Sequence, residues 1–387
     1  MRALAFWGSL GALVFAYLIY PAVSLMRGRW RPRPYLARPI TPPLTVVIAA
    51  HNEVTVIGRK LAALLASDYP PDSMQVIVAS DGSDDETVAA ALAAGASRVD
   101  VLDLPRSGKA AALNAAIAQA NGEILVFTDA NSMPAPDALR HLVAPFADQM
   151  VGGVAGNQVY RDRAVDGGSG ELAYWDIDRR LKAAESRAGS AVSATGALYA
   201  IRRELVRDVP EGVTDDFINS TRVVERGRRL VFAADAVVYE DAAGTSGAEF
   251  TRKVRVMTRG LRGVIMMRRL LDPRRYGFYS VQLFTQKVLK RLTVVPNLLL
   301  LASTALGWKH GRAYRLLGAI EVAIGAAAAV GLAFPSSRVG RLPVFSLPAY
   351  FCMANAASLL AIRNVIGQRT LVRWDTARTK PITEDPG

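Results

Sequence analysis

The sequence is poor in the residues that most often mark a metalloprotein or a disulfide-bonded protein: its 387 residues include one cysteine and three histidines. A single cysteine, Cys352, cannot form an intrachain disulfide, so cysteine usage does not indicate the redox compartment. With only His51, His141 and His310, a histidine-rich metal site is not expected. The motifs GxxxxGK(S/T), CxxC, HExxH and GxSxG are also absent, which argues against the enzyme classes that they define.

The composition indicates a membrane-bound protein with a soluble part. Hydrophobic residues make up 51% of the chain and its mean hydropathy is +0.18, which is too apolar for a disordered chain. Charged residues make up 21%, which is too many for a bundle that lies wholly in the membrane. Four runs carry at most one charged residue and are mostly long enough to cross a bilayer as helices. They cover residues 3–26, 292–308, 316–334 and 344–362.

The first apolar run is followed by a cluster of arginines within residues 27–38. The length of the run and the lack of a small-x-small cleavage site predict a retained anchor rather than a cleaved signal peptide. By the positive-inside rule, the segment after the anchor is cytosolic, at a plasma membrane of the bacterial type. The net charge of +13 also suggests nucleic acid as a partner. The excess cations lie beside the apolar runs, however, so we expect membrane lipids and no nucleic acid.

The topology of the C-terminal part stays open. If all three C-terminal runs cross the membrane, the basic tail lies outside, against the charge rule. If residues 292–308, which Pro296 interrupts, are re-entrant or interfacial, the tail returns inside. From Phe250 onward, apolar residues share one helical face and basic residues occupy the others, which predicts an interfacial helix or an ordinary helix with a solvated basic face.

These patterns divide the chain into five parts. We predict an N-terminal anchor (1–27), a basic linker (28–43), a cytosolic catalytic domain (44–240), amphipathic interfacial helices (241–291) and a C-terminal transmembrane region with a basic tail (292–387).

The soluble part predicts an α/β fold. Buried apolar runs at 44–50, 74–80, 99–104 and 124–128 alternate with helical segments, which is typical of a parallel sheet covered on both faces. Further strands are predicted at 151–161, 192–202 and 230–239, and further helices at 136–147, 170–187 and 216–226. In such sheets ligands bind beyond the carboxyl ends of the strands. Asn52, Glu53, Asp81 and Asp129 follow three of these strands, so we expect them to meet at one crevice.

The acidic residues at the strand ends each have a structural and a functional interpretation. Asp81 begins a DGSDD segment that is typical of an Asx turn and a helix cap. A carboxylate there can equally accept hydrogen bonds from a base or a ribose. Asp129 has the same ambiguity, and its oxygens and those of Asn131 can both face a hard divalent cation.

Two helix starts carry further candidates. Lys109 follows Gly108 and opens a helix, so it is either a surface lysine or a ligand of a diphosphate. Asp215 and Asp216 precede a helix that one of them can cap. Paired carboxylates near a crevice can instead raise the pKa of one partner and supply a general base.

The order of these clusters resembles the inverting glycosyltransferase family 2, of the membrane-embedded polysaccharide-synthase type. The similarity covers residues 44–260 and rests on seven motifs, each weak by itself but strong in this order: VVIAAHNE, MQVIVASDGSDDET, GKAAALN, VFTDANSMPAPDAL, ATGALYAIRR, TDDF and RKVRVMTRG. The resemblance implies a GT-A domain, the nucleotide-diphospho-sugar transferase fold, with a mostly parallel sheet. One N-terminal and two to three C-terminal transmembrane helices would flank it.

The resemblance also implies roles by position. Asn52, Glu53 and Asp81 would hold the nucleoside, and Lys109 would lie near the diphosphate. Asp129 matches the first acid of the family's DxD motif, which serves nucleotide and metal. Asp216 matches the catalytic base that ends its (T/E)-(E/D)-D motif, with Asp215 before it, and Gly196 would line the acceptor side.

Two departures from the family pattern bear on the chemistry. The second acid of DxD is Asn131, which can ligate through its carbonyl oxygen but brings no charge, so the expected Mg²⁺ or Mn²⁺ should bind more weakly. The QxxRW motif reads RKVRV from Arg252, so the arginine is kept as Arg255 but the Gln and Trp that help seat an acceptor sugar are lost. Processive synthesis of a long polymer is therefore in doubt.

The sequence leads to three hypotheses. The first is an inverting hexosyltransferase that moves a sugar from a nucleotide-sugar, by family habit a UDP-sugar, to a glycan or lipid-linked acceptor in polysaccharide synthesis. The second is a transferase that acts once on a polyprenyl phosphate. The third is a non-catalytic membrane protein that binds a nucleotide-sugar, which the retention of Asp216 argues against.

Overall fold

A computed structural model describes residues 2–160, 168–240, 246–335 and 337–368 of the chain. Eight strands follow the first membrane helix. They are β1 Leu44–Ala50, β2 Met74–Asp81, β3 Asp100–Leu104, β4 Ile124–Phe127, β5 Met133–Pro134, β6 Val151–Tyr160, β7 Tyr199–Arg202 and β8 Arg229–Glu240. They form one sheet in the order β3-β2-β1-β4-β7-β6-β8-β5.

The predicted α/β sheet is confirmed in its first half. β1 pairs in parallel with β2 and β4, and β2 pairs in parallel with β3. In the second half β7 runs antiparallel to β4 and β6, β6 pairs in parallel with β8, and β5 runs antiparallel to β8. Because β1, β2 and β4 are parallel neighbours, the polar residues after them lie at one edge of the sheet, as expected.

Both faces of the sheet are covered. Val46 and Ile48 of β1 join the core on one face, and Val47 and Ala49 join the core on the other. Successive strand residues point to opposite faces, so a strand buried on both sides reads as a continuous apolar run. The helices around the sheet are α3 Val54–Leu65, α4 Thr87–Gly95, α5 Lys109–Gln119, α6 Ala138–Val143, α7 Gly168–Ala188 and α8 Asp215–Glu225.

One strand differs from its prediction. The segment 192–202 was expected to be extended throughout, but only Tyr199–Arg202 pairs as β7. Before it, backbone groups bond to side chains: Ala194 N donates to Ser220 Oγ at 3.1 Å, and Ala197 O accepts from Thr128 Oγ1 at 2.7 Å. These side-chain partners replace the backbone pairing of a strand, so the segment before β7 forms a loop at the end of the strand instead.

The apolar runs form long helices. Residues Arg2–Trp30 form one continuous helix, made of α1 Arg2–Val14, a π-helical turn Phe15–Ile19 and α2 Tyr20–Trp30. The C-terminal helices of this kind are α13 Arg312–Ala333 and α14 Pro343–Ile366. In the described part of the chain, these three helices are long and apolar enough to cross a membrane, which confirms the N-terminal and two C-terminal segments.

The shortest apolar run, residues 292–308, forms a bent pair of helices with the segment before it. Phe278–Arg291 and Val294–Gly307 meet at an angle of 59°, so the pair is either one broken span or a re-entrant segment. It contains α11 Phe278–Leu283, a π-helical turn Phe284–Val288, a 3-10 turn Leu289–Arg291 and α12 Val294–Gly307. Upstream lie α9 Ser246–Met266 and the short α10 Pro273–Tyr276.

The first membrane helix packs closely on the sheet domain. A Cβ on Gly28 of α2 would come 2.6 Å from the carbonyl oxygen of Ala184 in α7, so only glycine allows this approach. Nearby, the Tyr20 hydroxyl donates to the buried carboxylate of Glu185. The guanidinium of Arg27 lies 4.1 Å from the ring centre of Phe278. The sheet domain and the first membrane helix are therefore joined by direct contacts.

Candidate active site

The loop after β2 is built around Asp81. Its Oδ1 accepts hydrogen bonds from the backbone N–H groups of Ser107 and Gly108, both at 2.7 Å, and its Oδ2 lies 3.4 Å from Nη1 of Arg106. The Asp81 side chain is only 1% exposed. Gly108 has φ of 98°, a left-handed conformation that suits glycine, and directly precedes Lys109 at the start of α5. Asp81 thus fixes the loop that positions Lys109.

The loop after β1 is tied to the loop after β2. Asn52 adopts a left-handed φ of 53°, and its side-chain oxygen accepts from the backbone N–H of Asp84 at 2.8 Å. The backbone N–H of Glu53 donates to Thr87 Oγ1 at 2.7 Å. The structure therefore brings Asn52 and Glu53 beside the segment that follows Asp81, as the sheet topology predicted.

Lys109 lies at the centre of the site. Its ammonium group is 2.8 Å from Oδ1 of Asp129, which follows β4, and 3.1 Å from Oδ1 of Asp215, the first residue of α8. Burial would lower the pKa of Lys109, but the two carboxylates outweigh burial and hold the pKa above its ordinary value. Lys109 is therefore a permanent cation that joins two acids 86 positions apart in sequence (215 − 129 = 86).

Asp215 is held from its other side by Tyr199. The Tyr199 hydroxyl donates to Asp215 Oδ2 at 2.9 Å, and Asn219 Nδ2 donates to the same hydroxyl oxygen at 3.1 Å. The Tyr199 ring stacks on Phe127 of β4, with ring centres 4.8 Å apart. Because Tyr199 and Asp215 are both buried, these contacts fix the start of α8 against the sheet.

Asp216 has the character of a poised carboxylate. Its Oδ1 accepts from the backbone N–H of Phe217 at 2.8 Å. Burial and the neighbouring charge of Asp215 raise its pKa, while Lys287 and Lys109 act in the opposite direction. The raised pKa shifts the basicity of Asp216 toward neutral pH, which suits a group that takes a proton.

The loop after β4 is supported from beneath by a buried lysine. Lys60 of α3 is fully buried, and its ammonium donates to Thr128 Oγ1 at 2.7 Å and to the carbonyl oxygen of Ser132. Burial lowers the pKa of Lys60 to about 7, against the opposing charges of Asp129 and Glu240. Lys60 thus holds both ends of the turn that carries Asp129 and Asn131.

Gly196 borders the same turn. A Cβ at this position would lie 3.2 Å from Oδ2 of Asp129, which is closer than ordinary van der Waals contact. The 192–198 loop and the Asp129 carboxylate therefore approach each other closely. A side chain at position 196 would crowd the carboxylate.

The α9 arginines lie toward different parts of the site. Arg252 acts electrostatically on Glu240, at the end of β8. Arg255 lies near Arg259, whose pKa falls to about 10 through burial and the charge of Arg255, against the attraction of Asp215. The charges of Arg259 and Asp215 therefore act on each other.

The acids of the site offer few ligands for a metal ion. No group of three or more His, Cys, Asp and Glu side chains that could hold a metal occurs in the described ranges. The Asp129 side chain is 35% exposed, and Lys109 already contacts one of its oxygens. Asn131, two residues on, is partly buried. This set fits Mg²⁺ or Mn²⁺ only if a bound diphosphate and water supply most of the oxygen ligands, as is usual for Mg²⁺.

The structure brings most of the predicted residues together. Lys109, Asp129, Asp215, Asp216 and Gly196 form one cluster, with Asp81 beneath the loop before Lys109. Sequence reasoning missed four side chains that shape this cluster: Lys60, Arg106, Tyr199 and Lys287. Lys60 could have been noticed, because it interrupts the apolar face that Ile57, Leu61 and Leu64 form on α3.

Comparisons with known proteins agree with this geometry. The family model described as "Glycosyltransferase like family 2" matches residues 42–263. The poly-beta-1,6-N-acetyl-D-glucosamine synthase of Staphylococcus aureus (strain COL) is 26% identical over 220 residues, which cover 55% of this chain and 53% of that protein. The "Probable glycosyltransferase YdaM" of Bacillus subtilis (strain 168) is 25% identical over 261 residues, covering 60% and 61%. The chain thus spans about half the length of the first of these relatives.

A solved structure resembles nearly the whole chain. The mannosyltransferase PcManGT from Pyrobaculum calidifontis, in complex with GDP-Man and Mn²⁺, superposes with a TM-score of 0.71 at 25% sequence identity. The match covers 93% of this chain and 98% of the neighbour. The similarity therefore includes the membrane helices as well as the GT-A sheet.

Proposed function

The chain belongs to glycosyltransferase family 2, and we propose that it moves a sugar from a nucleotide-sugar to a glycan or lipid-linked acceptor, with inversion, at the cytosolic face of a membrane. The observation that carries the proposal is the bridge that Lys109 makes between Asp129 and Asp215, with Asp216 beside it. A nucleotide-sugar donor needs cations for its diphosphate and the acceptor needs a base. This cluster supplies both types of group.

The reaction would be a single displacement at the anomeric carbon. Asp216 accepts the proton of an acceptor hydroxyl while the hydroxyl oxygen forms the new bond to that carbon. The bond between this carbon and the diphosphate oxygen breaks, and its electron pair leaves with the nucleoside diphosphate on the opposite face. The raised pKa of Asp216 makes it a stronger base than an ordinary carboxylate.

The donor would bind along the sheet edge. Asn52, Glu53 and Asp81 would hold the nucleoside, and Lys109 would lie near the diphosphate, where its fixed charge can offset that of the leaving group. Gly196 would keep the acceptor side open. Arg252 and Arg255 of α9 would line the acceptor or diphosphate side, with Asp215 supporting Lys109.

A divalent cation would be held by Asp129 and Asn131. When bound, Mg²⁺ or Mn²⁺ neutralises charge on the diphosphate. The neighbour from Pyrobaculum binds Mn²⁺ together with GDP-Man, which supports this assignment. Because that neighbour binds GDP-Man and not the UDP-sugar expected by family habit, the donor of this chain could carry either nucleoside.

The membrane helices would bring the site to the cytosolic leaflet. The arginines after the first helix favour a cytosolic catalytic domain. The relationship to a poly-N-acetylglucosamine synthase supports a role in polysaccharide synthesis for the cell envelope. A single transfer to a polyprenyl phosphate is the second candidate, favoured by the loss of the Gln and Trp of QxxRW.

The proposal is tested with the full chain in lipid nanodiscs. Nucleoside diphosphate release is measured with a panel of UDP- and GDP-sugars, with and without Mg²⁺ or Mn²⁺. NMR of the product then reports its anomeric configuration. We expect release with one donor class, a requirement for the cation and an inverted product. Binding of donors without any release would instead identify a nucleotide-sugar-binding protein, and a retained configuration would exclude the displacement above.

A further inference from the structure

Two π-helical turns interrupt helical segments that lie close to the candidate active site or within the first membrane helix. Within the described ranges, the turn Phe15–Ile19 carries Tyr17 in the first membrane helix, and the turn Phe284–Val288 carries Lys287. Single π-helical turns occur often at functional sites. The first turn also lies near the 3-10 turn Leu289–Arg291 that follows the second, since the ammonium of Lys290 lies 5.8 Å from the ring centre of Tyr17.

Basic side chains collect between these turns and Asp216. Lys182 of α7 pairs with Asp178 at 2.8 Å. Burial would raise the pKa of Asp178, but Lys182, Lys287 and Lys290 outweigh burial and keep the pKa below its ordinary value. Three lysines therefore surround one carboxylate. Lys287 also acts on Asp216, so this group of cations reaches the proposed base.

Arg291 extends the group toward α9. Its guanidinium lies against Gly260 of α9 and fills the space that the Cβ of any other residue at position 260 would need. One turn further along α9, a Cβ on Gly263 would come 2.7 Å from the ring of Phe217, the residue after Asp216. Arg291, α9 and the start of α8 are thus packed together. Lys287 and Arg291 are four positions apart on the same segment.

Polar groups continue from these cations into the membrane helices. Thr293 Oγ1 and Asn297 Nδ2 both donate to Asn355 Oδ1 of α14, at 3.3 and 3.1 Å. Tyr17 contacts Phe351, one turn before Asn355, with ring centres 5.9 Å apart. Polar side chains inside apolar helices are costly and usually serve a ligand or a partner.

We propose that Lys287, Lys290 and Arg291 form a subsite for the phosphate of a lipid-linked acceptor, on the membrane side of Asp216. These three side chains are partly buried, so their like charges repel one another at a cost that a bound phosphate offsets. An acceptor lipid reaches the site from the bilayer, where Tyr17 and Thr293 lie. An uncharged glycan would gain nothing from these cations. The inference rests on the proposed function, because it assigns the acceptor of the same site.

Binding is tested first, without turnover. The full chain in detergent is titrated with undecaprenyl phosphate and with its uncharged alcohol, undecaprenol, and complexes are counted by native mass spectrometry. We expect the phosphate to bind more tightly than the alcohol. Lys287→Gln should weaken phosphate binding about tenfold, the size expected for one charge-assisted contact. Equal binding of both lipids would overturn the proposal.

Matched variants separate the subsite from general charge. Lys309→Gln removes an exposed cation beyond the far end of α12 and should bind the phosphate like the wild type. Gly260→Ala keeps every charge but crowds the Arg291 guanidinium, so it should weaken binding as well. If Lys309→Gln weakened binding as much as Lys287→Gln, the attraction would be unspecific and the assignment wrong.

Two further arms distinguish sources and failures. Adding phosphatidylglycerol tests whether any anionic headgroup fills the subsite; full displacement of undecaprenyl phosphate at equal concentration would overturn the acceptor assignment. Release of nucleoside diphosphate from the donor without acceptor is measured on the same variants and should be unchanged in Lys309→Gln. If the wild type released no nucleoside diphosphate, the proposed function would be refuted. If it released nucleoside diphosphate but bound undecaprenyl phosphate and undecaprenol equally, only this inference would be refuted.

Discussion

The proposed role of Asp216 as the base leads to the sharpest prediction. Asp216→Asn keeps the side-chain shape, and the amide oxygen can still accept the hydrogen bond from Phe217 N–H, which is 2.8 Å long in the wild type. The variant loses the negative charge of the carboxylate and, with it, the ability to take a proton. General-base assistance contributes about 10²–10⁴-fold in rate, or about 3–5 kcal/mol of barrier. We expect kcat to fall by that factor while the dissociation constant of the donor changes little.

The same substitution should not destabilise the protein. Burial and Asp215 raise the pKa of Asp216 above its value of 3.8 in the unfolded chain. A raised carboxyl pKa means that stability is fully present below the unfolded pKa and is lost as the pH rises through the folded pKa. Near neutral pH the wild type therefore carries the cost of an ionised, partly buried Asp216. Asp216→Asn lacks this cost, so its Tm should equal or exceed that of the wild type.

The assay combines three measurements on one preparation. Nucleoside diphosphate release gives kcat, isothermal titration gives donor affinity, and thermal unfolding between pH 5 and 8 gives stability. Glu225→Gln, at the other end of the same helix, is the control for removing an acid from α8 and should retain activity. A near wild-type kcat in Asp216→Asn would remove Asp216 from the role of base. A large fall in Tm would show that its charge stabilises the fold, against the pKa argument.

Three other substitutions test the surrounding groups. Lys109→Met leaves Asp129 and Asp215 without their shared cation, so both the donor affinity and the free energy of unfolding should fall. The loss of unfolding free energy should lie between about 1 kcal/mol, as for an exposed ion pair, and about 3–5 kcal/mol, as for a buried one. Unchanged donor affinity would contradict the proposed contact of Lys109 with the diphosphate. Because the pKa of Lys60 is lowered to about 7, its contribution to stability is fully present above 10.5 and is lost as the pH falls through about 7. As the pH rises between these values, the wild type should therefore gain stability relative to Lys60→Met, by at most about 1.4 kcal/mol per pH unit. A difference in Tm that does not depend on pH would refute this. Gly196→Ala brings a Cβ to 3.2 Å from Asp129, so more Mn²⁺ should be needed for half-maximal release, with little change in Tm; an unaltered Mn²⁺ titration would show that the carboxylate moves freely.

The first half of the sheet could be predicted because its signals are local. β1 occupies Leu44–Ala50, the same residues as the predicted apolar run, and α5 begins at Lys109 as predicted. Strands buried on both faces leave continuous apolar runs, and the parallel order follows from alternation with helices. The placement of Asn52, Asp81 and Asp129 at one edge followed from topology alone.

The second half depends on contacts that leave no local pattern. β5 is only two residues long, Met133–Pro134, and pairs with β8 more than a hundred positions away. The loop before β7 is set by a hydrogen bond that Thr128 donates and one that Ser220 accepts, which sequence periodicity does not reveal. Lys287 likewise acts on Asp216 from the segment predicted to be interfacial, and neither its spacing nor its neighbours indicated this.

The charges of the candidate site are compatible with Asn131 in place of the second acid of the DxD motif. In the protein alone, Lys109 is already shared by Asp129 and Asp215, so its single charge is committed to two carboxylates. A donor diphosphate adds negative charge that Lys109 cannot offset alone, and a second acid at position 131 would add more. With Asn131 the turn keeps an oxygen ligand and avoids that repulsion. The uncharged residue is thus compatible with catalysis, provided that the donor brings its own divalent cation, and a dependence of donor affinity on Mn²⁺ concentration follows from the same charge balance.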